Sequence, residues 1–139
     1  MKKHELVWDE GRHGVGIALI DEQHRQIIDR VNQIANAVAA KAKNDALKEM
    51  LEDMLLFACE HFAVEERLMA EHAYPDMEGH IQEHLRMYQQ LNNLVKTVLR
   101  TTGRDKAALV SAYLSDWAEQ HILQADKELG GFLVARGLS

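Results

Sequence analysis

The residues with chemistry to offer in this sequence are histidines and carboxylates that stand where a hydrophobic core should be. His24, His61, Glu65, His80, His84 and His121 each fall on an otherwise apolar helical stripe, and Asp126 lies on a nearby flank. A buried carboxylate without a positive partner is strongly disfavoured, and no Lys or Arg shares these stripes near Glu65. A single histidine on an apolar face is ordinarily a satisfied core residue. Five of them, with a carboxylate among them and drawn from four separate segments, point instead to a metal site, which removes the burial penalty at once.

Spacing narrows the chemistry. His61 and Glu65 are four positions apart, as are His80 and His84, so each pair stacks on one face of a helix. Ile81, Gln82 and Glu83 separate the second pair, so the HExxH zinc-protease pattern is absent. A mononuclear zinc site takes three or four protein ligands. Five imidazoles and two carboxylates are too many for one ion. Two ions accommodate them if Glu65 and Asp126 both bridge, together with an oxide or hydroxide. Each ion then has three bridging ligands, and the histidines divide three and two. One ion becomes six-coordinate; the other is five-coordinate with an open position. Imidazole–carboxylate sets suit iron among first-row metals, and the open position on a redox-active pair is where O2 would bind. His121 and Asp126 are five apart, roughly 140° on an ideal helix. Either Asp126 reaches round from the flank, or the helix carries a π-type irregularity.

Four amphipathic helices must hold these side chains. The apolar periodicity predicts them at about 18–40, 45–73, 76–101 and 105–129. The first buries Ile27/Ile28, Val31, Ile34/Ala35 and Val38. The second buries Leu47, Leu51, Met54, Ala58, Leu68 and His72, starts at a cap near Asn44 or Asp45, and stops before Pro75. The third buries Met77, Met87, Leu91, Leu94 and Val98 and ends at Gly103. The fourth buries Val110, Leu114, Trp117 and Ala125 and stops at Gly130-Gly131, leaving Phe132, Leu133 and Val134 as a capping tail. Residues 1–16, with Gly11, Gly14 and Gly16, read as an irregular arm whose Trp8 packs on the bundle end. Short connections make the default fold all-α, an antiparallel up-down-up-down four-helix bundle.

Composition agrees with one domain over 1–139. The chain is 47% apolar and 27% charged with a single proline, which favours long helices in a globular protein. Its net charge of -6 argues against nucleic acid or an anionic membrane as partner. No apolar run is long enough to span a membrane, and the basic start of the chain lacks the apolar stretch of a secretory signal. The lone cysteine, Cys59, allows no internal disulfide and fits a reducing cytoplasm; it reads as a small buried or half-buried hydrophobe. His4, His13 and His72 are left without a metal role.

The segments DEQH (21–24), HFAVEE (61–66), YPDMEGHIQEH (74–84) and HILQAD (121–126) resemble the bacterial branch of the hemerythrin family, across about residues 7–129. Trp8 and the VGI at 15–17 also fit that branch. The resemblance implies a non-haem di-iron centre bridged by Glu65, Asp126 and an oxide or hydroxide. His80, His84 and His121 would complete the saturated iron, and His24 and His61 would hold the open one. It implies reversible O2 binding rather than enzyme catalysis, with O2 held end-on as hydroperoxide. Ile27, Ile28, Phe62, Trp117, Ile122 and Leu123, all near the ligands, are the expected apolar wall of the O2 pocket.

The competing readings are a ferritin-type oxidase and an O2, redox or nitric oxide sensor. A ferritin-type site uses two Glu-x-x-His motifs on core helices, whereas the one here, Glu10 to His13, falls in the arm. A sensor needs an output domain or a partner surface, and the sequence after the fourth helix is too short for such a domain. A protein that receives the O2 is a further expected partner.

Overall fold

The computed structural model describes residues 6–139 apart from Gln124, and the side chains of residues 121–123 also lie outside the described set. The elements are α1 (Glu10–His13), α2 (Ala18–Ala39), α3 (Asn44–Glu71), α4 (Met77–Arg100), α5 (Gly103–Leu109), a π-helical stretch (Val110–Leu114), α6 (Ser115–Leu123) and α7 (Ala125–Ala135). The helices α2, α3, α4 and the run from α5 to α7 form the four members of an all-α bundle. Neighbours in sequence are antiparallel because the connections leave no room for any other return. The fourth member closes the ring by packing on both α2 and α4.

Local signals explain where the chain turns. α2 ends at Lys41, whose φ of 60° lets Lys41 N–H and Ala42 N–H bond back to the carbonyls of Val38 and Ala37. α3 ends the same way at Ala73, φ 52°, with Tyr74 N–H on the Met69 carbonyl and Pro75 just beyond. Asn44 does not cap α3 as expected. Its side chain instead ties the two far loops together, donating to the Leu99 carbonyl and accepting from Lys106.

The core is split in two along the bundle axis. A large cluster includes Ile27, Ile28, Val31, Ile34, Leu47, Leu51, Met54, Met87, Leu91, Leu114 and Trp117. A small one holds Val15, Ile17, Ile20, Met69, Leu129 and Leu133. On every helix the predicted polar residues fall between these two apolar regions: His24 between Ile20 and Ile27, Glu65 between Ala58 and Met69. The bundle therefore has a buried polar layer with apolar packing above and below it.

Several expectations are corrected. On α3 the step after Glu65 is four, not three, so Met69 is buried and Leu68 only half-buried; a 3.6-residue repeat permits either step, and packing chose. Cys59 is exposed, because it lies one position past Ala58 and outside the stripe. The fourth member does not stop at Gly130-Gly131. It continues to Ala135, and Phe132 and Leu133 join the small cluster as helical residues. A Cβ on Gly130 would lie 2.4 Å from the Val15 carbonyl oxygen, so this glycine is where the arm crosses the helix rather than where the helix ends.

The arm is also more ordered than its glycines suggest. Asp9 caps the single turn α1 through the N–H groups of Gly11 and Arg12. Asn32 holds Leu6 by a pair of hydrogen bonds to its backbone N–H and carbonyl. Asp21 accepts from Val15 N–H at 2.8 Å. Trp8 is half-buried with the Arg25 guanidinium 4.8 Å from its ring, so it lies along the side of α2 and not at the bundle end. Among the described residues no helix is long and apolar enough to cross a membrane.

Candidate metal centre

Six of the seven predicted ligands meet in the polar layer. His24, His61, Glu65 and Asp126 are fully buried, and His80 and His84 nearly so. α2 supplies His24, α3 supplies His61 and Glu65, α4 supplies His80 and His84, and α7 supplies Asp126. The side chain of His121, the seventh, lies outside the described residues, as do those of Ile122 and Leu123.

The ligating atoms fall into two groups, each within 4.8 Å: His24, His61, Glu65 and Asp126, and Glu65, His80, His84 and Asp126. Both carboxylates belong to both groups, and their oxygens are sorted between them. Glu65 turns Oε1 to the Nε2 atoms of His84 (2.9 Å) and His80 (3.0 Å), and Oε2 to Nε2 of His61 (3.0 Å). Asp126 turns Oδ1 to Nε2 of His80 (3.1 Å), and Oδ2 to those of His24 (2.6 Å) and His61 (3.3 Å). Asp126 thus brings both oxygens to the centre. The fourth member does carry a π-helical stretch, at Val110–Leu114, which precedes both His121 and Asp126.

The donor set fits a cation. His84 directs Nδ1 at Glu66 Oε2 (3.0 Å), and His61 directs Nδ1 at Gln23 Oε1 (2.7 Å). Both partners are acceptors, so each Nδ1 carries the proton and donates it. That leaves Nε2 with its lone pair facing carboxylate oxygens, which also present lone pairs. His24 and His61 further bring their Nε2 atoms within 3.2 Å of each other. Such contacts require a positive species between the atoms, either a shared proton or a metal ion. Without metal, protons fill that role. Burial opposes charge on His61, but the Glu65 charge, hydrogen bonds to Asp126 and Glu65, and the Asp126 charge outweigh it and push His61 up to about 10. For His80, burial is likewise outweighed by hydrogen bonds and charges from Asp126 and Glu65, which push it up to about 10. Glu65 is raised by burial and by Asp126, yet His61 holds it below the usual carboxylate range.

Ile27 and Ile28 are buried one turn beyond His24, and Trp117 is buried with its indole N–H on the Met87 carbonyl at 3.0 Å. Phe62 adjoins His61 in sequence, but its ring stacks on His84, with centroids 4.2 Å apart and planes within 17°. The same ring also meets His61, with centroids 5.9 Å apart, so Phe62 lies between the two histidine groups. Of the histidines given no metal role, His13 is buried in α1 and accepts the Asp9 N–H on Nδ1, and His72 sits half-buried at the C-terminal end of α3. Sequence reasoning missed Gln23 and Glu66. Both lie inside the motifs DEQH and HFAVEE, adjacent to a ligand, and that adjacency was the available signal.

Comparison with known proteins gives a consistent picture. The family model for the hemerythrin HHE cation binding domain matches residues 15–133. A bacteriohemerythrin of Stenotrophomonas maltophilia strain R551-3 is 30% identical over 123 residues, which is 88% of this chain and 77% of that one. A bacteriohemerythrin of Pseudomonas aeruginosa strain PAO1 is 29% identical over 121 residues, 87% of this chain and 76% of that one. Among solved structures, a point mutant of a hemerythrin superposes with a TM-score of 0.77 at 25% identity, covering 92% of this chain and 96% of that chain.

Proposed function

The chain belongs to the hemerythrin HHE family, and on that premise we propose that it is a single hemerythrin-like domain binding O2 reversibly at a non-haem di-iron centre. The ligands in this reading are His24, His61, Glu65, His80, His84, His121 and Asp126. One observation carries it: each of the two carboxylates offers one oxygen to the His24/His61 group and the other to the His80/His84 group. A mononuclear site has no use for that division, whereas two ions side by side need two bridges of this kind.

Iron, when bound, supplies the electrons for O2 and an open coordination position. The chain's own residues do the rest. Glu65 and Asp126 would hold the two ions side by side and offset part of their charge in a water-excluded layer. Phe62 fixes the ring plane of His84 by stacking, while Gln23 and Glu66 fix the tautomers of His61 and His84. Ile27 and Ile28 keep the approach to the His24 side apolar. Exclusion of water and anions there would protect iron held by these residues from irreversible oxidation.

The test is an optical spectrum of the iron-loaded, reduced protein, recorded first without air, then in air, then after purging with argon. An oxygen-dependent band that disappears on purging and returns in air is the expected result. A band that forms once and persists under argon would identify irreversible oxidation and reject reversible binding.

A further inference from the structure

Two of the histidines at the centre, His84 and His61, are backed by different chemistry. His84 hydrogen-bonds outward to a carboxylate, Glu66, at 3.0 Å; His61 hydrogen-bonds outward to a neutral amide, Gln23, at 2.7 Å. Both rings are buried, both present Nε2 to Glu65 at about the same distance, and both lie on the central helices α3 and α4. A carboxylate accepting the Nδ1 proton pulls it toward itself and leaves the ring closer to imidazolate, which makes Nε2 a stronger donor to a cation. An amide oxygen fixes the same tautomer but withdraws the proton far less. Glu66 also brings a negative charge near the second group, partly screened because its side chain is 37% exposed.

We propose that Glu66, acting through His84, strengthens the hold of the His80/His84 half on a cation, while Gln23, acting through His61, gives the His24/His61 half no such help, over and above any difference made by the division of the histidines between the halves. Both are positioning residues that act through an imidazole. The inference rests on the di-metal reading given above. It adds an order of filling: the Glu66-backed position loads first, and its ion then neutralises Glu65 and Asp126 in part, which weakens the second position further. A weaker, less electron-rich second position is the one that remains the softer hold on its ion.

The test uses cobalt(II) as the probe, added anaerobically to the metal-free full chain and followed by visible absorption and calorimetry. The wild-type protein should bind in two resolved steps. Glu66→Gln keeps an oxygen acceptor for His84 and removes only the charge; it should weaken the first step by roughly 10- to 100-fold and bring the two steps closer. Gln23→Glu should instead tighten the second step by a similar factor. A global loss of structure would not tighten a step, and helix content by circular dichroism verifies each variant. Superimposable isotherms for wild type and Glu66→Gln would overturn the proposal, as would two ions bound with equal affinity in the wild type. Binding of no cobalt, or of one ion only with no second step at any concentration, would overturn the di-metal reading itself.

Discussion

Asp126 Oδ2 lies 2.6 Å from His24 Nε2, joining residues 102 positions apart in the chain at the centre of the bundle. The contact ties the last helix to the first long one, and it is favourable only with a proton or a metal ion between the two atoms.

Removing the metal should lower the melting temperature. Metal that binds only the folded chain at 100 times its dissociation constant contributes about 2.7 kcal/mol, or roughly 10 °C for a domain of this size. Scanning calorimetry of chelated and reloaded protein measures the difference. Equal melting temperatures would mean that the polar layer is self-sufficient.

The metal-free protein should also acquire a pH dependence that the loaded protein lacks. His61 and His80 are pushed up to about 10, above their unfolded values. Their contribution is therefore complete below about pH 6.5 and is lost as pH rises through about 10. Glu65 is shifted down, so its contribution is present above its unfolded value and is lost at lower pH. The metal-free melting temperature should thus be highest near pH 5–6 and fall steadily toward pH 10, with metal loading near pH 7 releasing protons from the displaced imidazoliums. Melting curves across pH, and proton release in weak buffer, test both points. A metal-free melting temperature that is flat from pH 6.5 to 10 would contradict the shared-proton picture.

Glu65→Ala removes a carboxylate that faces both His61 and His84. Iron content, by elemental analysis of reloaded protein, should fall by about half or more, while the helix content stays close to wild type. Unchanged iron content would show that Glu65 is not a bridging ligand.

Ile28→Asn places an amide in the buried region one turn past His24. Iron should be retained, and the oxygenated absorbance should decay faster in air by roughly 10-fold or more, an effect of about 1.4 kcal/mol on the barrier. Ile122→Asn, at the other expected wall of the pocket, is the companion variant. Wild-type decay at full iron occupancy in both would place the O2 pocket elsewhere.

Gly130→Ala should destabilise the protein by roughly 1–3 kcal/mol through overpacking. The new Cβ would sit 2.4 Å from the Val15 carbonyl oxygen and 2.6 Å from Val15 Cβ, and both are fixed by the Asp21 contact to Val15. The arm should yield, and limited proteolysis should cut before residue 16 faster than in wild type. Gly131→Ala, which meets nothing, is the control.

The sequence by itself determined the bundle and the chemical type of its centre. A 3.6-residue repeat is a local property, so the four stripes could be read directly, and the penalty for a buried Glu65 made a cation necessary without any coordinates. What it left open depended on distances between residues far apart in the chain. The step to Met69 instead of Leu68 and the inward turn of Asp126 were decided by which side chains fill the small cluster, because helical geometry allows either choice. The passage of α7 through Gly130-Gly131 was decided by Leu129 and Leu133 packing below the site and by the arm crossing at Gly130, which together outweigh the poor helix propensity of two glycines. The division of the carboxylate oxygens between two histidine groups, and the pairing of Gln23 with His61 and Glu66 with His84, exist only once α2, α3, α4 and α7 are side by side. Residue types limit what a site can bind; the packing of four helices decides which atom faces which.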